Sequence, residues 1–231
     1  TSGTGSEVTP VAVVADKDRA VKVGIASPYL IPHTAICDPE LTYGCPAGLT
    51  AVSGADALTH AIEAYVSNAY SDLTDVHAEE AIRLISKNIE ASVQKNRTVE
   101  TMYGMMMGSL NAGLAFSNAS LGAVHAMAHS LGGLTDAPHG ECNSILLEHI
   151  IDVNFSACEA KYTRIASLMG IPVKDMTAEN IKKALLRKTA ELRETLHIPS
   201  TKKIDNLSSG LIAELASRAI QDPCLITNPK P

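Results

Sequence analysis

In the segment Gly54-Ala55-Asp56-Ala57-Leu58-Thr59-His60 a carboxylate and an imidazole stand four positions apart. On a helix that spacing puts both side chains on one face, where they can share a metal ion. Taken alone, the pair reads more simply as a solvated Asp–His pair or a buried hydrogen bond. His125 and His129 repeat the spacing within Leu121-Gly122-Ala123-Val124-His125-Ala126-Met127-Ala128-His129, a mostly apolar stretch. A buried imidazole must find a partner for each ring nitrogen, so two on one face suggest a ligand, a proton path or an aqueous cleft. The plainer alternative is one satisfied core histidine and one exposed. His139 follows in Asp136-Ala137-Pro138-His139-Gly140, where proline fixes the approach and glycine allows a tight turn into the next helix. By itself it could cap that helix or lie in solvent. Together, one carboxylate and several imidazoles make an N/O donor set suited to Fe(II), Zn(II), Mn(II) or Co(II), and unlike a thiolate structural site.

The opening residues Thr1-Ser2-Gly3-Thr4-Gly5-Ser6 offer hydroxyls and backbone N–H groups of the kind that cradle phosphates. They match neither a dinucleotide fingerprint nor a P-loop lysine motif. Met102, Met105, Met106 and Met107, beside Gly104, Gly108 and Gly113, read as core filling. His33, His77, His149 and His197 have no matching partner and read as structural or surface residues.

The elements that must position the donors follow from periodicity. Glu7 to Val14 and Ala20 to Ala26, separated by the polar turn Asp16-Lys17-Asp18, predict a β-hairpin. A third short apolar run, Thr34 to Cys37, ends at the turn pair Asp38-Pro39. Everything beyond is predicted helical. Pro46 fits a first helical turn, and Ala47 to Val66 carries Leu49, Val52, Leu58, Ile62 and Tyr65 at near-helical spacing. Further helices are expected over Asp72 to Gln94, Val99 to Phe116, Leu121 to Leu131, Gly140 to Phe155, Cys158 to Met169, Ala178 to His197 and Asn206 to Gln221. Their limits are marked by Gly170, Ile171-Pro172, Thr177 as an N-cap and Ile198-Pro199. The fold class is α+β: residues 1–45 as the end of an α/β dinucleotide-binding domain with a β-hairpin remnant, and 46–231 as a mainly α-helical metal-binding bundle.

Composition narrows the function classes. With 231 residues, 45% hydrophobic and 19% charged, the chain is long enough for a sizeable core and predicts a soluble globule. No apolar run approaches the roughly 20 residues that span a bilayer. A net charge of -6 with dispersed lysines and arginines argues against a nucleic-acid surface. Cys37, Cys45, Cys142, Cys158 and Cys224 form no CxxC pair and fit reduced thiols in a cytoplasmic protein. The chain opens on Thr1 within a Gly-rich loop and closes at Lys230-Pro231, so it reads as a fragment.

These residues resemble the iron-containing (group III) alcohol dehydrogenases. The resemblance runs through TSGTGSEVT at the start, DPEL at Asp38 to Leu41 and GADALTHAIEAYVS at Gly54 to Ser67. It continues in AGLAFSNASLGAVHAMAHSLGG at Ala112 to Gly133, PHGECN at Pro138 to Asn143 and DPCLITNPKP at Asp222 to Pro231. It implies Asp56, His60, His125 and His139 as ligands of Fe(II), or of Zn(II) or another divalent ion. It implies His129 as a catalytic histidine near the nicotinamide of NAD or NADP. Thr4, Thr9, Val13, Lys22 and Leu41 match positions that touch the dinucleotide, and Phe116 one near the substrate pocket. The family's phosphate loop and the acidic residue that selects NAD over NADP lie outside this sequence. Relatives often carry proline where Ser130 stands.

The resemblance implies interconversion of a primary alcohol or diol and its aldehyde, by hydride transfer to and from NAD(P), in a homo-oligomer of a dimer or higher. His129 is then a proton relay, one helical turn from His125. Two alternatives stay open from the residues alone. One is a metal-dependent hydrolase, which the same donors could serve but for which no HExxH glutamate is present. The other is an inactive or assembly fragment of such a dehydrogenase.

Overall fold

The computed structural model describes residues 3–16, 21–200 and 209–230. Among the described residues, those up to 45 form irregular segments, 3-10 turns and one pair of strands, and those beyond are mainly helical. A 3-10 turn, Ser6–Val8, precedes strands β1 (Val11–Asp16) and β2 (Val21–Ala26), which pair antiparallel with Val11 opposite Ala26 and Val14 opposite Val23. The first strand starts later than the alternation from Glu7 predicts. Pro10 offers no N–H to a ladder, and the Val8 N–H instead donates to the Gly5 carbonyl. The run Thr34 to Cys37 forms no strand: residues 31–36 are exposed with no sheet edge beside them. The turn expected at Asp16-Lys17-Asp18 lies largely outside the described residues.

Eight α-helices follow among the described residues: α1 (Ala47–Val66), α2 (Asp72–Ser92), α3 (Val99–Ala119), α4 (Ala123–Thr135), α5 (His139–Asn154), α6 (Glu159–Leu168), α7 (Ala178–Thr195) and α8 (Ser209–Ile220). Pro46 is the N-cap of α1 rather than a member of its first turn. α4 passes through Gly132 and Gly133 to Thr135, four residues beyond the predicted stop, because a mid-helix glycine costs only about 1 kcal/mol. Asp136, in the left-handed region at φ 56°, then closes it. Thr177 caps α7 as predicted, its side chain accepting from the Asn180 N–H. The start predicted for α8 at Asn206 falls outside the described residues.

α1 is the centre. From Thr50 onward nearly all its side chains are buried, with α2, α3, α5 and α6 packed around it. A helix apolar all round belongs inside a domain. α2 shows one apolar stripe, Ala78, Ala81, Ile82, Ile85 and Ile89, and lays it against α1 and α3. The approach of α3 is set by glycine. A Cβ on Gly108 would meet Ile85 Cγ1 at 2.6 Å, so neither helix could come as near with alanine there. Met102 and Met105 are buried core residues, as expected. The N-terminal segment lies on this bundle: the Ser6–Val8 turn packs on α3 and β2 on α4. No helix among the described residues is long and apolar enough to cross a membrane.

Candidate metal centre

α1 supplies Asp56 and His60, α4 supplies His125, and the first residue of α5 supplies His139. One donor atom from each lies within 4.8 Å of the others, with the first three residues buried. The Nε2 atoms of His60, His125 and His139 stand 3.9, 3.7 and 3.6 Å from Asp56 Oδ1, so three imidazoles face one carboxylate. The approach of α5 to α1 depends on Gly140, whose added Cβ would meet the Val52 carbonyl oxygen at 2.2 Å. That glycine does more than permit a turn: it lets His139 reach Asp56.

The electrostatics follow from burying one carboxylate among three imidazoles. Burial alone would raise the Asp56 carboxyl, but the imidazoles of His60, His125 and His139 hold it well below the usual range. Burial pushes His60 down to about 4 and His139 down to about 3, leaving both neutral and able to donate lone pairs. Burial acts the same way on His125 but is overcome by hydrogen bonds to Asp56 and Glu63, and that ring rises to about 9. The residues therefore fit a divalent ion: one carboxylate, three imidazoles, and a local preference for positive charge.

Sequence reasoning missed three participants. Glu63, one turn beyond His60 on α1, is buried and binds His125 Nδ1 at 2.6 Å through Oε2, while its Oε1 accepts from the Val124 N–H at 2.7 Å. This fixes the tautomer that turns His125 Nε2 inward. Asn143, one turn beyond His139, places Nδ2 2.6 Å from Asp56 Oδ1, 3.1 Å from His125 Nε2 and 3.2 Å from His139 Nε2. An amide nitrogen has two hydrogens for those three acceptors, while Asn143 Oδ1 and His60 Nδ1 are buried without a partner. Asp222 binds His129 Nδ1 at 2.8 Å, and that hydrogen bond brings its carboxyl down to about 2 against the opposing effect of burial. The available signal was an acid or amide one helical turn from a candidate ligand in apolar company.

The other predicted residues are placed unevenly. The His129 ring stacks on His139 with centroids 5.3 Å apart, and Phe116 stacks on His60 at 4.4 Å. Thr4 is exposed and hydrogen-bonded to Ser6, on a loop held against the bundle at Gly3 and Gly5, whose added Cβ atoms would strike Ser53 and Gly113. Thr9 is buried. Leu41 points into solvent from a 3-10 turn over Pro39–Thr42 that packs on α3. Val13 and Lys22 stand on the hairpin backbone, but their side chains lie outside the described part. Ser130, where proline was noted in relatives, buries its hydroxyl and returns it to the Ala126 carbonyl at 3.2 Å without interrupting α4. None of the five cysteines is in a disulfide.

The fold and its site define a helical domain that gathers one carboxylate and three imidazoles between packed helices. The chain belongs to the iron-containing alcohol dehydrogenases: residues 50–231 match the family described as Fe-containing alcohol dehydrogenase, C-terminal, and residues 1–39 match iron-containing alcohol dehydrogenase. It is 39% identical to a 1,3-propanediol dehydrogenase of Klebsiella pneumoniae over 100% of this chain and 59% of that protein. It is 35% identical to an NAD-dependent methanol dehydrogenase of Bacillus methanolicus, over 100% of this chain and 60% of the relative. The solved alcohol dehydrogenase from Oenococcus oeni superposes with a TM-score of 0.95 at 33% identity, covering 100% of this chain and 60% of that one. The chain thus spans about three-fifths of the length of these relatives.

Proposed function

We propose that the protein interconverts a primary alcohol or diol and its aldehyde with NAD or NADP, using a divalent cation, Fe(II) by preference, held by Asp56, His60, His125 and His139. The observation that carries the reading is the convergence of four N/O donors from three helices on one point, with neutral lone pairs on two of the imidazoles. When bound, the cation supplies Lewis acidity to the substrate oxygen and the dinucleotide supplies the hydride acceptor or donor.

The chain's own residues do the remainder. Glu63 orients His125 and stabilises its ring. His129, part-exposed and paired through Nδ1 with Asp222, has its Nε2 available to carry the substrate proton outward. Phe116, stacked on His60, gives the centre an apolar wall that keeps water from the reacting carbon. The exposed hydroxyls of the Thr4 loop, with Thr9, Val13, Lys22 and Leu41, form this chain's share of the dinucleotide site. Cysteines outside any disulfide agree with a cytoplasmic setting. Dehydrogenases of propanediol and methanol among the relatives support a small alcohol as substrate. No such support exists for the hydrolase alternative.

The test is a screen of primary alcohols and diols with NAD and with NADP, followed at the nicotinamide absorbance, before and after anaerobic chelation. Chelation should abolish turnover and Fe(II) should restore it. Turnover that survives complete metal removal refutes the reading.

A further inference from the structure

Beside the four-donor centre stands a second group that the proposed chemistry does not use as ligands. A ring nitrogen of His129, a carboxylate oxygen of Asp222 and Cys224 Sγ lie within 4.8 Å of one another. The three come from two elements tied together: His129 from α4, Asp222 and Cys224 from the 3-10 turn over Pro223–Thr227 that packs on it. That turn is anchored at the start of α4, where Thr227 Oγ1 donates to the Leu121 carbonyl at 2.6 Å and Asn228 Oδ1 accepts from the Ala123 N–H at 3.2 Å. The Asp222 carboxylate is itself aimed, since its Oδ1 accepts the Cys224 N–H at 2.8 Å and its Oδ2 is left facing His129. The three side chains are partly buried.

We propose that His129, Asp222 and Cys224 form a second metal site, for a divalent ion softer in preference than that of the four-donor centre, Zn(II) or Co(II) in class. Three protein ligands of nitrogen, oxygen and sulfur suit a tetrahedral ion completed by a solvent ligand, and the thiolate supplies the selectivity that an all-N/O set lacks. Binding displaces the thiol proton of Cys224 to solvent, while the hydrogen on His129 Nδ1 shifts to Nε2 and the ring ligates as a neutral imidazole. One proton leaves, and two anionic ligands, the Cys224 thiolate and the Asp222 carboxylate, balance the dication. The site lies next to the first centre, with His129 ring centroids 5.3 Å from His139 and 5.9 Å from His125. Two dications that near repel each other, so the second site fills after the first. If His129 is the proton relay proposed above, its occupation also makes excess zinc inhibitory; occupation itself does not depend on that role.

Anaerobic titration of the metal-free protein with Co(II), followed in the near ultraviolet, tests the site without reference to activity. No donor of the first centre carries sulfur, so sulfur-to-cobalt charge-transfer absorption separates the second site from the first, and the Cys224 variant assigns the band among the five cysteines. The band should grow after the first equivalent, persist in His60→Ala, and vanish in Cys224→Ser with an unchanged far-ultraviolet circular dichroism spectrum. Asp222→Asn should require about ten times more cobalt or beyond for the same signal, as loss of an oriented ligand does. A band that persists in Cys224→Ser, or none with cobalt in excess in the unsubstituted protein, overturns the proposal.

Discussion

Residues of the same kind meet opposite fates in the two parts of this chain. In α1, Leu58 is 1% exposed, between the ligands Asp56 and His60 of the proposed centre; in the segment before α1, Leu41 is 81% exposed, and Tyr29 and Ile36 share that condition. The donors rest on helices whose positions are over-determined by packing, whereas the residues assigned to the dinucleotide rest on turns and a two-stranded ribbon. A centre that must hold four atoms to within a few tenths of an ångström needs the first kind of support. A surface that receives an extended ligand can be built from the second.

The largest effect expected to sharpen this contrast is at Leu58. Leu58→Ala empties space at the middle of α1 and should cost about 2–5 kcal/mol of stability, read by denaturant unfolding of the metal-free protein. A loss of under about 1 kcal/mol would mean the helix wall is not what fixes Asp56 and His60. Next comes the support behind the ligands. Glu63→Gln keeps the hydrogen bond to the Val124 N–H but removes the charge on His125 Nδ1, so the metal affinity should fall about 10- to 100-fold in competition with a chelator. Unchanged affinity would strip Glu63 of that role.

How much of this was legible follows from which forces act locally. All eight helices were readable, α1 to the residue, because an apolar period and turn residues at the ends are properties of nearby sequence. The four donors were readable by type and helical spacing, and their family resemblance joined them. What could not be read was convergence. Nothing local says that Gly140 lets α5 touch Val52, or that Glu63, 76 positions from His139 and on another helix, serves the same cluster. The errors have equally local causes: Pro10 delayed β1, and two glycines that could have ended α4 were carried through because each costs a helix only about 1 kcal/mol.

A subtler effect is the pH dependence of the metal-free protein. His60 and His139 have folded values near 4 and 3, below the unfolded value of about 6.5, so the unfolded chain binds more protons and stability falls as pH drops below about 6.5. His125, raised to about 9, works oppositely: its contribution is full below about 6.5 and is lost as pH climbs to 9. The melting temperature should pass through a maximum near neutrality and fall on both sides. A bound cation should hold the descent above pH 6.5 in check, because it replaces the charge on His125. A monotonic rise to pH 9 in the metal-free protein would remove His125 as the site's positive member.

The smallest effect on stability is at Leu41, and it is informative because it is small. Leu41→Ala deletes the same atoms as Leu58→Ala, yet from a side chain already in water, so stability should move by no more than about 0.5 kcal/mol either way. If Leu41 belongs to the dinucleotide site as proposed, the same substitution should raise the KM for NAD or NADP while leaving metal content and the unfolding midpoint unchanged. A matching loss of stability would place Leu41 in a packed interface instead. An unaltered cofactor KM would leave the Thr4 loop and the hairpin as this chain's share of that site.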